Sequence, residues 1–128
     1  MKKILLAAMP FLITIPAHAE WTRYAQLAES EEWFDPAIVR RDQDRITFWT
    51  MTNYTAPITS LEGQELLSEQ ALTTVDCSLG KIGSEKVIKY AGKNAQGAII
   101  GSMETTLRMT KVSANAADRI LLEIICAK

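Results

Sequence analysis

Histidine is almost missing from this chain of 128 residues: the single copy, His18, lies in the leader segment described below. Without it no imidazole can activate a serine or cysteine nucleophile, and none can ligate zinc, so the common hydrolase and zinc designs are excluded. Cysteine is nearly as scarce. Cys77 and Cys126 stand alone, and no C-x-x-C spacing suggests thiol redox chemistry. No apolar run approaches the roughly 20 residues that a spanning helix needs. Repeats, low-complexity segments and domain linkers are also lacking, and acidic and basic residues nearly balance at 15 against 14. A mildly acidic chain has no global attraction to nucleic acid or anionic membrane.

What is present begins with an address. Lys2 and Lys3 form a positive start, Ile4 to Ile15 an apolar stretch broken by Pro10, and Ala17-His18-Ala19 a small-residue cleavage site. Residues 1–19 therefore read as a signal peptide and residues 20–128 as one domain. No cysteine near the cleavage site offers itself for lipid attachment, so the expected product is exported, periplasmic or secreted, and free of a lipid anchor. Loss of Lys2 and Lys3 reduces the 14 basic residues to 12 against 15 acidic ones, a net charge of −3.

Export places both cysteines in an oxidising compartment, where only one intramolecular pairing, Cys77 with Cys126, is open to them. On the chain-entropy account, closing a loop of about 50 residues stabilises a fold by about 4 kcal/mol. That is a large share of the roughly 5–15 kcal/mol of a small domain.

The clearest strand is Ile46 to Tyr54, dense in β-branched and aromatic residues. Ile46, Phe48, Thr50, Thr52 and Tyr54 occupy one face, and Thr47, Trp49, Met51 and Asn53 the other. Large apolar groups on both faces predict a central strand covered on each side. Glu20 to Ala28 fits strand and helix templates about equally, with a lean to strand. Asp35-Pro36 and Ala56-Pro57 are expected to end the elements before them, and a charged turn is expected over Arg40 to Arg45. Further extended stretches follow at Leu66–Leu79, Glu85–Ala91, Ala98–Met103 and Thr105–Val112, with a bend bracketed by Gly80 and Gly83. Strands at short spacing without intervening helices predict an antiparallel meander.

Ala114 to Ile125 reads as a helix, with Asn115 as its cap, Asp118 at its positive end, and Ala117, Ile120, Leu121 and Ile124 as its apolar stripe. At about 100° per residue Cys126 falls nearly opposite that stripe. Either the helix stops before Cys126 and the chain turns toward Cys77, or Ile120 to Cys126 is a buried strand; the first is preferred. The fold class is α+β: an antiparallel sheet of about six strands with one C-terminal helix packed on it.

Signals for chemistry are faint. Ser78-Leu79-Gly80-Lys81 has the S-x-x-K spacing, but on an extended segment positions i and i+3 face opposite ways. Asp42 and Asp44 hint at a calcium loop, yet Thr47 and Asn53 stand where an EF-hand needs glycine and glutamate; a solvated turn accounts for them. No pair of carboxylates is singled out for glycosidase-type work. Asn53-Tyr54-Thr55 has the glycosylation pattern on a strand where it would go unused. Lys81, Lys86, Lys89, Lys93, Arg108 and Lys111 could gather as a patch for polyanions, but scattered edge charges explain them as well. Trp49 reads as core. Trp33 and Phe34, beside the charged turn with Arg40 and Arg41, read as a recognition surface. Catalytic residues, metal ligands and cofactors are not indicated.

Several residues in a fixed order carry a resemblance: Trp21 near the mature start, Phe34-Asp35-Pro36-Ala37-Ile38, an aromatic strand ending in Asn53-Tyr54, Asp76-Cys77 on a strand, and a C-terminal helix closed by Cys126. Together they resemble the surface-adhesin protein E family along nearly all of the mature chain. The resemblance implies a six-stranded antiparallel sheet with a helix lying across it, and a non-enzymatic protein-binding role toward host extracellular-matrix and serum proteins. The sequence departs from the family in lacking a lipidation cysteine and in having Ser113-Ala114-Asn115 where the family has Pro-Gly before the helix. Two other classes stay open. One is a periplasmic enzyme or enzyme inhibitor that works without histidine. The other is an envelope assembly subunit, including a homodimer, suggested by apolar groups on both faces of the Ile46–Tyr54 strand.

Overall fold

Alternating side chains and short turns fold most of the chain into one antiparallel sheet. The computed structural model describes residues 20–114 and 116–127; the signal-peptide reading of residues 1–19 and the capping role of Asn115 lie outside them. The strands are β1 (Thr22–Gln26), β2 (Ser30–Asp42), β3 (Arg45–Thr59), β4 (Glu65–Asp76), β5 (Lys81–Tyr90), β6 (Ile99–Glu104) and β7 (Thr110–Lys111), followed by helix α1 (Ala117–Cys126). The sheet order follows the chain from β1 to β6, and β7 pairs with the free end of β5. The described residues thus hold seven strands where about six were expected, and with a single ten-residue helix the fold is mostly β. The α+β label fits it loosely.

The prolines do not end their strands. Pro36 lies inside β2 and Pro57 inside β3, each where the ladder register shifts. β1 accompanies β2 only as far as Phe34, and β2 accompanies β3 only as far as Tyr54. Beyond those points each strand has a neighbour on one side only, and an edge or a bulge tolerates the missing N–H. The expected strand over Thr105–Val112 is reduced to the two residues of β7. Before it, Thr105–Met109 runs beside β5, with the Thr105 N–H donating to the Glu85 carbonyl at 3.0 Å.

Gly83 does not bend the chain; it sits within β5 because of what crosses it. A Cβ there would lie 2.5 Å from the Arg108 carbonyl oxygen, whereas one on Gly101 of β6 meets nothing within 4 Å. Gly83→Ala must push the crossing backbone away, and overpacking of this kind typically destabilises by about 1–3 kcal/mol. Denaturant titration should show that loss for Gly83→Ala and little change for Gly101→Ala; equal midpoints would refute the close approach.

The core lies between α1 and one sheet face. Phe34, Ile46, Phe48, Val75 and Val112 meet Leu121, Leu122 and Ile125 of the helix, with Tyr24, Cys77, Ile82 and Cys126 at its margin. Phe34 and Phe48 meet edge to face, centroids 6.5 Å apart, in an arrangement that aromatic rings favour. The helix buries Leu121, Leu122 and Ile125, while Ile120 of the expected stripe is 44% exposed. This rotation resolves the difficulty over Cys126. Its position is now about 90° from the centre of the buried face at 100° per residue, so the helix runs through Cys126 without a terminal turn. The Cys77–Cys126 disulfide is present, with Cα atoms 5.6 Å apart.

The opposite sheet face is covered too, as the double-sided pattern of β3 predicted. Met51 and Leu66 are buried there, and the loop after β5 folds over them. Asn53 donates through Nδ2 to Asn94 Oδ1 and accepts the Asn94 N–H at its own Oδ1, both at 2.8 Å. Ser68 donates to the Gly92 carbonyl and accepts the Ala95 N–H.

The β4–β5 turn that carries Cys77 is held by Asp76. Its Oδ1 accepts the Leu79 N–H, the Ser78 N–H and the Ser78 hydroxyl at 3.0–3.1 Å, and Arg45 approaches Oδ2 at 3.5 Å. These donors, the Leu79 N–H foremost and outweighing burial, lower the Asp76 carboxyl below its usual range. The unfolded carboxyl therefore binds its proton more readily than the folded one. The stabilisation is complete above the unfolded value of about 3.9 and is lost as pH falls through the lower folded value. Asp76→Asn should lower the melting temperature at neutral pH, and its deficit against the parent should shrink below about pH 4. A deficit independent of pH would refute the assignment.

Candidate functional site

The four residues read from sequence as a recognition surface do not converge. Neighbours on a strand point to opposite faces, and the register separates them accordingly: Trp33 lies opposite Met51 and Arg40 opposite Thr47, whereas Phe34 lies opposite Thr50 and Arg41 opposite Ile46. Trp33 and Arg40 therefore share the face away from the helix. Phe34 is a core residue, 4% exposed, and offers nothing to a partner. Its apolar ring fills the space between Tyr24 and Phe48.

On the far face, Arg40 reaches from β2 to Glu85 of β5, with Nη2 to Oε1 at 2.6 Å. Three strand spacings separate β2 from β5, about 14 Å on a flat sheet, so this contact reports how strongly the sheet coils at this end. The groove beneath is lined by Arg40, Asp42, Arg45, Thr47, Thr74 and Leu107. Its floor is the buried hydroxyl pair Thr47–Thr74 at 2.7 Å. Along the same face the Trp33 indole N–H is buried without an acceptor. An unmet donor of that kind costs about 1–3 kcal/mol unless something supplies an acceptor.

The helix side holds a second feature that the sequence did not disclose. α1 covers only one end of the sheet, and the face it covers changes from Ile46 and Phe48 to Thr50 and Thr52 along β3. Where the hydroxyls begin, a cavity of about 290 Å³ opens, lined by Tyr24, Glu32, Thr50, Thr52, Thr73, Ser84, Arg108 and Asp118 among others. Both Glu32 oxygens accept hydroxyl hydrogen bonds, from Ser30 at 2.8 Å and from Thr52 at 2.7 Å. Thr50 and Thr73 pair across the floor at 2.8 Å. Burial raises the Asp118 carboxyl above its usual value. Burial raises the Tyr24 phenol well above its ordinary range, and the charges of Glu32 and Asp118 raise it further. Further along the face Tyr54 is pushed up to about 12 by burial, then by Glu69, with Glu32 behind. The one signal in the sequence was the change from apolar to hydroxyl side chains on a single face of β3. Glu32, Arg108 and Asp118 come from three distant elements, and no spacing links them.

The remaining faint signals are explained as structural. Ser78 Oγ donates to Asp76 Oδ1 within the turn, Asp42 and Asp44 flank the exposed β2–β3 turn, and Lys86 pairs with Glu104 across β5 and β6. No group of three or more potential metal ligands occurs among the described residues. No described helix is long and apolar enough to cross a membrane.

Comparison with known proteins follows the same lines. A family model described as surface-adhesin protein E matches residues 21–127. Solved structures of Haemophilus influenzae protein E are similar in fold. One has a TM-score of 0.67 at 14% identity and covers 86% of each chain. A second crystal form gives 0.69 at 13%, covering 86% of this chain and 89% of that one. Protein E from non-typeable Haemophilus influenzae gives 0.66 at 14%, covering 88% and 79%. At these identities the likeness speaks for the fold alone. A comparison with curated proteins gives no match.

Proposed function

This chain belongs to the surface-adhesin protein E family, and on that premise we propose that it is an exported, non-enzymatic binding module whose partner is a protein. The family match along residues 21–127 carries the reading. The host extracellular-matrix protein implied by the family resemblance is the partner proposed here, reached after cleavage behind Ala19 and release into the periplasm or beyond it. The recognition surface is the far face around Trp33 and Arg40, with Arg41 and Phe34, which lie on the helix face, removed from it. Tryptophan and arginine are the side chains that most often dominate protein interfaces.

The test is binding of the mature protein to a panel of immobilised matrix proteins, with serum albumin as the blank. Saturable binding to a panel member, weakened about tenfold or more by Arg40→Glu, is the expected result. The exposed Arg40–Glu85 pair contributes only about 0–1 kcal/mol to stability, so that variant should stay folded. Binding to none of the panel would defeat the matrix reading.

Two further classes draw on particular observations. Glu32 and Asp118 share one cavity, which favours an envelope enzyme or inhibitor. Against catalysis, both Glu32 oxygens are already occupied by hydroxyl donors, those of Ser30 and Thr52. The β6 edge carries Ile99 and Met103, 62% and 55% exposed, and an apolar edge of this sort invites pairing with a second copy. Dimer mass in solution, abolished by a charged substitution at Ile99, would support the homodimer.

A further inference from the structure

The helix-side cavity is polar where a core should be packed, and its charges do not neutralise one another. Glu32 and Asp118 line it from β2 and the first turn of α1, and Arg108 lines it from the segment before β7. Among the described residues none of the three forms an ion pair within 4.0 Å. We propose that this cavity binds a small zwitterion of the α-amino-acid class, its ammonium against Glu32 and Asp118 and its carboxylate against Arg108.

Charge selects the ligand. A simple cation would satisfy the two carboxylates but leave Arg108 facing like charge, and a simple anion would meet two carboxylates. A molecule bearing both signs satisfies all three groups. Size agrees, because about 290 Å³ is at the small end of ligand sites, which run roughly 300–1,000 Å³. Preorganisation agrees as well. Glu32 is fixed by hydroxyls from Ser30 and Thr52, the kind of support that holds a binding group in position before a ligand arrives. The Thr50–Thr73 pair forms a rigid hydroxyl floor beneath it. Asp118 stands at the solvent-facing rim of the cavity and accepts no hydrogen bond from any described residue, so its carboxylate is open to a ligand's ammonium. The cavity lies on the opposite sheet face from Trp33 and Arg40, so this inference and the protein-partner reading stand or fall separately.

The experiment is a titration of the mature protein, followed by backbone amide NMR shifts, with L-alanine, ethylamine and propionate as probes. L-alanine should perturb β2, β3 and the start of α1, and should bind about tenfold or more tightly than either of the other two, since each omits one charge-assisted contact. Asp118→Asn and Arg108→Gln should each weaken alanine binding by about tenfold or more, and Leu61→Ala, at a fully exposed site outside both surfaces, should leave it unchanged. Arg108 is exposed, so its variant remains informative even if Asp118→Asn disturbs the helix. L-alanyl-L-alanine asks whether the ligand is a free residue or a short peptide; tighter binding of either one at these residues upholds the proposal. Equal binding of ethylamine and alanine, shifts confined to other residues, or no saturable shift up to tens of millimolar (about the weakest binding of interest) would overturn it.

Discussion

Phe48→Ala should destabilise the protein by about 3–5 kcal/mol, the range for truncating a buried aromatic ring, and denaturant titration at neutral pH will measure it. Phe48 has no exposed surface. It lies at the centre of the cluster that joins β2, β3 and β4 to the helix, with Phe34 against its face or edge. Removing the ring withdraws its transfer free energy and leaves a void that the paired strands on either side cannot close, because β3 is hydrogen-bonded to both β2 and β4. Total stability for a chain of this size is of order 5–15 kcal/mol, so the variant should be near the limit of folding at physiological temperature. Ile38→Ala, at a site 44% exposed, should change stability by no more than about 0.5 kcal/mol. Similar losses for the two variants would show that the cluster does not hold the sheet and helix together.

The second large effect is loss of the bridge. Cys77→Ser with Cys126→Ser should remove about 4 kcal/mol on the loop-entropy account, given the 49-residue separation. The parent should lose a comparable amount in reductant, and the double variant should be insensitive to it. This control separates the covalent tie from the packing of two sulfur atoms at the core margin. A parent whose unfolding midpoint ignores reductant, after the thiols are confirmed free, would contradict the assignment.

Sequence patterns disclosed the framework better than its details. The cysteine pairing followed from the expectation of export and from the number of cysteines, and β3 with its two buried faces followed from alternation. The prolines misled because proline ends a strand only where both ladders are needed; Pro36 and Pro57 lie where one neighbour has already left. The C-terminal helix was expected, but it begins at Ala117 and runs through Cys126 instead of stopping before it, and its face was misjudged. Leu122 and Ile125 are buried and Cys126 is bonded to Cys77, and such a tertiary constraint is one that a hydropathy stripe cannot encode. Phe34 looked like surface because charged residues surround it in sequence, whereas the strand period sends it inward and Trp33 outward. The cavity stayed hidden for a related reason: Glu32, Arg108 and Asp118 meet only after β2, the β7 approach and α1 are docked.

The position of the bridge also sets how the molecule would respond to pulling. Tension applied at its C-terminal end bypasses the helix and enters at Cys77, in the turn after β4, so β5, β6, β7 and α1 hang inside a closed ring that carries no stretch between its ends. The ring withholds 49 residues, about 170 Å of extensible contour at 3.3–3.6 Å per residue. Only β1 through β4 can lengthen under force, and β1, paired on one side alone, is the strand that would peel first.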